Sequence, residues 1–419
     1  MPEAPIGVTQ ASDHVPPHRA IQSSVGRLAL ARMVSLTGTY AASIALVFSI
    51  HQQTGSTAWV SATMILTFGV VGFFGPVAGA ISDRFDRRRV MVVGEVGAAA
   101  AWALMAGVTE MPALLLGFAF CASLLESLFI PASSAAIPNL AGEQELARAN
   151  SMIAIGRNAG LTIGPLVGGL LFAVVGARGV FVLNAASFLV AAALVASVRG
   201  RFADPARASS GTSEHGGLAV GIRFIVHEPV LRQMLLSWVV FVLGTASTIV
   251  AEPVLADEFG AGSLGYGLLT ACWGGGTIVG AWLSRGVRRE REALWIVYFS
   301  ALMALTCFAL ALSQWFWLIL VSIAAFGLAD GPTQVVEQNL LQRRTPDEIR
   351  GRVMGAWEAV MTGAFVGALL LGAVVVGRVG PAGAFVFAGI MGLGGAALLL
   401  PLIRWLPDES FSPLERPEA

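Results

Sequence analysis

The chain has 419 residues, of which 56% are hydrophobic and only 12% are charged, and its 26 basic and 26 acidic residues balance. That share of charge is about half of what a water-soluble domain carries. With a mean hydropathy of +0.75, this excludes a soluble enzyme, and zero net charge gives no footing for a nucleic-acid partner. Every basic residue is Arg, so the lysine of a phosphate-binding loop is missing; energy for any pumping has to come from an ion gradient or another chain. Together with heavy Ala and Gly usage, the arginines point to a high-GC bacterial coding bias.

The polar stretch 1–27 holds no short apolar h-region, so no cleaved signal is expected there, and it reads as a cytoplasmic tail. Twelve apolar runs follow, each long enough to cross hydrocarbon as a helix. They are predicted at about 28–50, 58–81, 90–108, 112–138, 150–175, 179–198, 231–256, 265–284, 293–312, 315–340, 353–376 and 381–403. A polar connector at 199–230, with a short amphipathic helix, separates a first six-helix bundle (28–198) from a second (231–404). Residues 405–419 form a second cytoplasmic tail. The expectation is an all-α integral membrane protein of two pseudo-symmetric six-helix bundles in the cell membrane, acting as a monomer in the lipid bilayer.

Arginines set the orientation. Arg84, Arg87, Arg88 and Arg89 share one loop; Arg199, Arg201 and Arg207 lie in the connector; Arg285, Arg288, Arg289 and Arg291 share another loop, followed by Arg343, Arg344 and Arg350. Only Arg178 and Arg378 fall on the opposite side, so the positive-inside rule places both termini in the cytoplasm. The halves also match at an offset of 201: Gly79 with Gly280, Arg87–Arg88 with Arg288–Arg289, Pro131 with Pro332, and Arg178 with Arg378 at 200. Parallel repeats of this kind are common in secondary transporters, with the substrate site between them near the midplane.

Cys121, Cys272 and Cys307 sit in apolar runs without ligand spacing and read as packing residues; no metal or cofactor is expected. Gly260-Ala-Gly262-Ser-Leu-Gly265 matches a dinucleotide fingerprint only formally, because no strand precedes it. No nucleophile, base and orienting group align, so no enzymatic activity is expected.

The loop Gly79-Ala-Ile-Ser-Asp83-Arg84-Phe-Asp86-Arg87-Arg88-Arg89 resembles the signature loop of the major facilitator superfamily, with Asp86 in place of its second glycine. The resemblance implies a twelve-helix fold and a cytoplasmic latch made by Gly79, Asp83, Arg84, Arg87 and Arg88, with Asp83 facing Gly351 and Arg352 at the start of span 11. In span 5, Gly156, Gly160, Gly164 and Gly168 recur on one face with Pro165 beside them. This resembles the antiporter motif of drug–proton exchangers, although Ser151 replaces the first glycine. Physically the stripe is a close-packing device. Further stretches, among them Phe129-Ile-Pro131-Ala132 and Gln342-Arg343-Arg344-Thr345-Pro346, resemble the branch holding macrolide-efflux and enterobactin-export proteins.

Ionisable residues inside spans are costly and default to functional candidates. Glu126, mid-span 4, reads either as a proton carrier or as a neutral carboxyl bonded within the bundle. Arg32 reads as a counter-charge, an anion contact or a snorkelling side chain. Arg157 and Asn158 are candidates to pair with Glu126 or Glu95, and Glu95 with the Arg84–Arg89 loop. Asp330, Glu337 and Glu358 are expected to form a gate with Arg343, Arg344 or Arg352, and Glu252 an outer gate. Glu126 and Asp330 are expected to supply polar cavity contacts, with Phe68, Trp238, Phe241 and Trp357 as apolar candidates. The implied activity is export of an amphiphilic small molecule (drug, siderophore or natural product) by proton antiport through alternating access. An importer, or a membrane sensor or scaffold, is the alternative; the absence of an acid in span 1 and of an Arg in span 4 weakens proton coupling.

Overall fold

The computed structural model describes residues 18–141, 145–198, 200, 202, 217–287 and 289–405. The two expected tails beyond these, most of the connector, and Arg199, Arg201, Arg207 and Arg288 lie outside the described residues. Fifteen α-helices, with no strand among the described residues, run α1 (His18–Thr54), α2 (Thr57–Met64), α3 (Val70–Arg84), α4 (Arg87–Gly107), α5 (Pro112–Glu126), α6 (Phe129–Ala141), α7 (Leu146–Ser197), α8 (Gly217–His227), α9 (Pro229–Thr245), α10 (Ala251–Glu258), α11 (Gly262–Leu283), α12 (Glu292–Leu312), α13 (Phe316–Arg343), α14 (Arg350–Leu398) and α15 (Leu402–Trp405). Among the described residues, nine helical segments are long and apolar enough to cross a membrane.

α1 starts at His18, ten residues before the predicted span. The other large departures have backbone causes. α7 is 52 residues long and α14 is 49; a straight helix of 52 residues would measure about 78 Å against ~30 Å of hydrocarbon. Each is broken near its middle by one left-handed glycine, Gly176 (φ 67°) and Gly380 (φ 70°), a conformation that costs a side-chain-bearing residue and is open to Gly. The two breaks lie 204 residues apart. Arg178 therefore follows its break whereas Arg378 precedes its own, and these two arginines are not structural counterparts.

The predicted span 112–138 is two helices joined by a turn at Ser127–Leu128. Pro131 has no N–H for the Ser127 carbonyl and its ring crowds that turn. Pro332 is tolerated inside an unbroken α13. There, the Leu328 carbonyl it leaves without a helical donor faces Gly280 of α11, where the missing side chain lets the two backbones touch. A π-turn at Ile65–Gly69 links α2 to α3, and a 3-10 turn at Ala246–Val250 links α9 to α10.

Packing groups the helices by half. Two apolar clusters, one around Val25, Met91 and Phe129 and one around Trp102, Leu115 and Phe181, contain only first-half residues. A third, around Met234, Ile296 and Trp357, is confined to the second half. A fourth joins both, bringing Phe48, Val60 and Met64 against Val250, Leu369 and Phe385. The stripe Gly156, Gly160, Gly164 and Gly168 lies against the α1 backbone: a Cβ at Gly156 would sit 2.6 Å from the Ala29 oxygen, and one at Gly164 would sit 2.9 Å from the Thr37 oxygen. The opposite face of α7 meets α11, where a Cβ at Gly267 would sit 2.5 Å from the Pro165 oxygen.

Candidate functional site

α1 carries Arg32, Ser35, Thr39 and Ser43 at helical spacing, and all four are buried. This polar stripe faces Glu95 on α4 and Glu126 on α5. The Glu126 carboxyl is held at both oxygens: Oε2 accepts from Thr39 Oγ1 at 3.1 Å and Oε1 from Trp102 Nε1 at 3.3 Å. Arg32 lies 5.0 Å from the centre of the Phe129 ring, and Glu95 and Glu126 are the carboxyls whose charge acts on it. At 8% exposure Arg32 is buried beside these two carboxyls and does not snorkel. The predicted pairing of Arg157 or Asn158 with these acids is absent, because both side chains are exposed. Glu95 is buried facing Arg32 rather than the Arg84–Arg89 loop.

A cavity of about 570 Å³ lies between the halves, a size typical of drug-like ligand sites. α1, the π-turn and α7 contribute Tyr40, Phe68 and Pro165; the rest comes mostly from α9 to α14. Phe68, Trp238, Phe241 and Trp357 all line it, as do Glu252, Asp330, Glu337 and Glu358. Glu126 does not, which corrects the expectation that it contributes a cavity contact: its helix turns the carboxyl toward α1 and α4.

The π-turn helps to form the wall. Its i→i+5 hydrogen bonding displaces the local register, Ser123 Oγ donates to the Thr67 carbonyl at 3.2 Å, and Phe68 stacks on Tyr40 at 5.9 Å between centroids. On the far wall, three neutral donors converge on Asp330 Oδ2: Gln334 Nε2 at 2.8 Å, Trp273 Nε1 at 3.2 Å and Thr277 Oγ1 at 3.4 Å. Glu337 Oε1 accepts from Trp357 Nε1 at 2.9 Å. Of the arginines expected to gate these acids (Arg343, Arg344 or Arg352), two have partners elsewhere. Arg343 pairs with Glu292 of α12, and Arg344 lies 3.5 Å from Glu228, because both arginines sit at the end of α13 beyond the cavity.

The halves meet at one end. Thr57 Oγ1 donates to the Ala373 carbonyl at 2.9 Å, Ser61 to that of Leu369, and Ser263 to that of Gly169 at 3.1 Å, while His51 Nε2 lies 3.7 Å from Asp257 Oδ2. At the opposite end Asp83, Arg84 and Gly351 are exposed, and nothing lies within 4 Å of a Cβ placed at Gly79 or Gly351. The predicted contact between Asp83 and the start of α14 is not made; α8 takes that place, with Gly221 against the Arg352 carbonyl. Arg87 donates to the carbonyls of Ala135 (2.8 Å) and Phe202 (3.1 Å), and Arg88 lies over the Phe202 ring. Asp86 caps α4 by accepting from the Arg89 N–H at 2.9 Å, which explains an acid where the signature has glycine.

The partners Trp102, Thr39, Trp273, Thr277 and Gln334 are not among the sequence candidates. The α1 stripe was visible as hydroxyls every three or four residues after Arg32; the two indoles carried no signal beyond being donors in apolar runs.

Residues 20–409 match a protein family described as transmembrane secretion effector. The enterobactin exporter EntS of Escherichia coli O1:K1 / APEC is 26% identical over 351 residues, covering 82% of this chain and 83% of the relative. Among solved structures, a bacterial homologue of the human lysosomal transporter Spinster, in an inward-facing and unoccupied conformation, superposes with a TM-score of 0.71 at 16% identity over 93% of this chain and 99% of that one. A POT family transporter in complex with a thioalcohol-conjugated peptide gives 0.71 at 12% identity over 92% and 99%.

Proposed function

The chain belongs to the transmembrane secretion effector family of the major facilitator superfamily, and on that footing we propose that it is a secondary active exporter of an amphiphilic small molecule, driven by proton antiport. It is a multi-pass membrane transporter. Splitting α7 at Gly176 and α14 at Gly380, and adding the glycine-rich α11 to the apolar segments, gives twelve crossings in two six-helix bundles with both termini cytoplasmic. The observation that carries the reading is the cavity between the halves, closed at the Thr57–Ala373 end and unlatched at the Asp83 end. With the arginine-rich loops inside, that cavity faces the cytoplasm, where an exporter loads.

In the opposite state the two bundles rock about the cavity and Asp83 docks on the start of α14 near Gly351 and Arg352. Glu126 is the proton site. Its carboxyl is bonded within the first half, to Thr39 and Trp102, and lies near Arg32. The glycine stripe on α7 keeps α1 and α7 moving as one unit. Export is supported by the exporter among the relatives and by the resemblance of that stripe to the antiporter motif.

Everted membrane vesicles carrying the protein, acidified inside, are expected to take up a fluorescent member of a panel of antibiotics, dyes and siderophores. Collapse of the proton gradient should release it. Inward accumulation by intact cells, with no gradient-dependent uptake by everted vesicles, overturns export.

A further inference from the structure

The charges around the cavity are one-sided. Glu252, Asp330, Glu337 and Glu358 line it, and no Arg or His is among the described residues that do. Asp330 is 6% exposed, and its three donors all bind Oδ2, so Oδ1 has no protein donor. Glu337 is engaged at Oε1 alone, and Glu252 accepts no hydrogen bond among the described residues. Burying a carboxylate with no cation beside it is expensive, and no residue on this wall offsets the cost as Arg32 does for Glu126.

The remaining wall mixes aliphatic and small polar side chains with a large aromatic share. Trp238, Phe241, Tyr266, Trp273, Phe326 and Trp357 present ring faces or edges. Trp238 is 6% exposed and its indole N–H finds no acceptor, so the site also holds an unused donor. Ring faces carry negative electrostatic potential and attract organic cations. Aromatic walls with unpaired acids and no base complement one ligand class and repel its opposite.

We propose that the cavity binds lipophilic organic cations, with Asp330 and Glu337 as the charge-recognising residues, and that it discriminates against organic anions of the same shape. This names a substrate class for the exporter and rests on the reading of the cavity as its loading site. Every recognition contact is non-covalent: the ammonium or phosphonium centre sits over the indoles and beside the Asp330 and Glu337 oxygens that no protein donor uses.

Tetraphenylphosphonium and tetraphenylborate form a matched pair, nearly equal in size and opposite in charge. Binding of each to the purified full-length protein in lipid nanodiscs is followed by quenching of tryptophan fluorescence. Tetraphenylphosphonium is expected to bind at least about tenfold more tightly than tetraphenylborate. Asp330→Asn and Glu337→Gln should each weaken it by about tenfold, while Glu290→Gln, on an exposed turn, leaves it unchanged. Melting curves of the variants establish that they are folded. Equal affinity for the two ions, preference for the borate, or a cation preference that survives in the Asp330→Asn/Glu337→Gln double variant overturns the proposal. Flux separates this from the export reading: selective phosphonium binding without gradient-driven uptake by everted vesicles upholds the substrate class and counts against export. Gradient-driven uptake of an anion with no cation preference does the reverse.

Discussion

Glu126 in the first half and Asp330 in the second are both carboxyls followed within a few residues by a proline, Pro131 and Pro332, and both accept from a tryptophan indole on a neighbouring helix, Trp102 and Trp273. There the likeness ends. Glu126 uses both oxygens within its own half, has Arg32 near by, and stays out of the cavity. Asp330 is bonded at one oxygen only, by neutral donors, and lines the cavity. Pro131 follows a break, α5 ending at Glu126 and α6 starting anew; Pro332 sits inside an unbroken α13, where Gly280 packs on the carbonyl it frees. One half balances its acid internally, as a proton site must if it is to be neutral or charged without unfolding. The other leaves its acids to be balanced by whatever occupies the cavity.

The sharpest way to break this comparison is Glu126→Gln. It is expected to abolish the pH-driven part of transport while the protein stays folded and still binds its substrate; undiminished proton-coupled flux in that variant removes Glu126 from the mechanism. Next is Arg32→Leu, which strands Glu95 and Glu126 without a cation. Leaving buried carboxyls without a neighbouring cation is destabilising, so this variant should show a lower melting temperature, and an unchanged one means that the acids of the first half are neutral throughout.

A paired substitution sharpens the contrast. Trp102→Phe removes a donor from a closed site and should read as a stability loss of about 1–3 kcal/mol. Trp273→Phe should instead read mainly in substrate binding, weakened by about fivefold, with a smaller change in melting. Equal melting losses in both make the two tryptophans equivalent packing residues. The smallest effect on stability belongs to Asp83→Asn. Asp83 is exposed in this state, so melting should not move, whereas transport turnover should fall because the latch forms only in the opposite state; wild-type turnover ends the latch reading.

Much of the architecture was legible along the chain because its cause is local. Transfer of apolar side chains into hydrocarbon is summed over consecutive residues, so the runs near 90–108 and 293–312 coincide closely with α4 (Arg87–Gly107) and α12 (Glu292–Leu312). The Gly156–Gly168 stripe announced its helix contact because four small residues on one face leave a groove that only a backbone fills. Proline and glycine gave weaker guidance. Pro131 and Pro332 look alike in sequence, and only the presence of Gly280 opposite Leu328 marks the one inside an unbroken helix.

The site was legible in its residue types but not in its pairings. Arg32, Glu126, Asp330, Glu337 and Glu252 stand out because ionisable groups in apolar runs are costly wherever they face. Which charge offsets which depends on helix rotation and on crossings between residues far apart in sequence. Arg32 lies by Glu95 and Glu126 because the stripe of α1 turns toward α4 and α5, while Arg157, an equally plausible partner by depth, is exposed on α7 in helical register with the cavity residues Leu161 and Pro165. Arg343 and Arg344 are taken by Glu292 and Glu228, acids near helix ends that hydropathy passes over. Composition and periodicity, being sums over neighbours in the chain, determined a polytopic membrane protein with candidate buried charges, and the Asp83 loop gave the resemblance to transporters. Only the tertiary packing decided that one acid is closed off beside an arginine and the others face an aromatic cavity without a cation, because charge compensation is settled by distances across helices that no local sum contains.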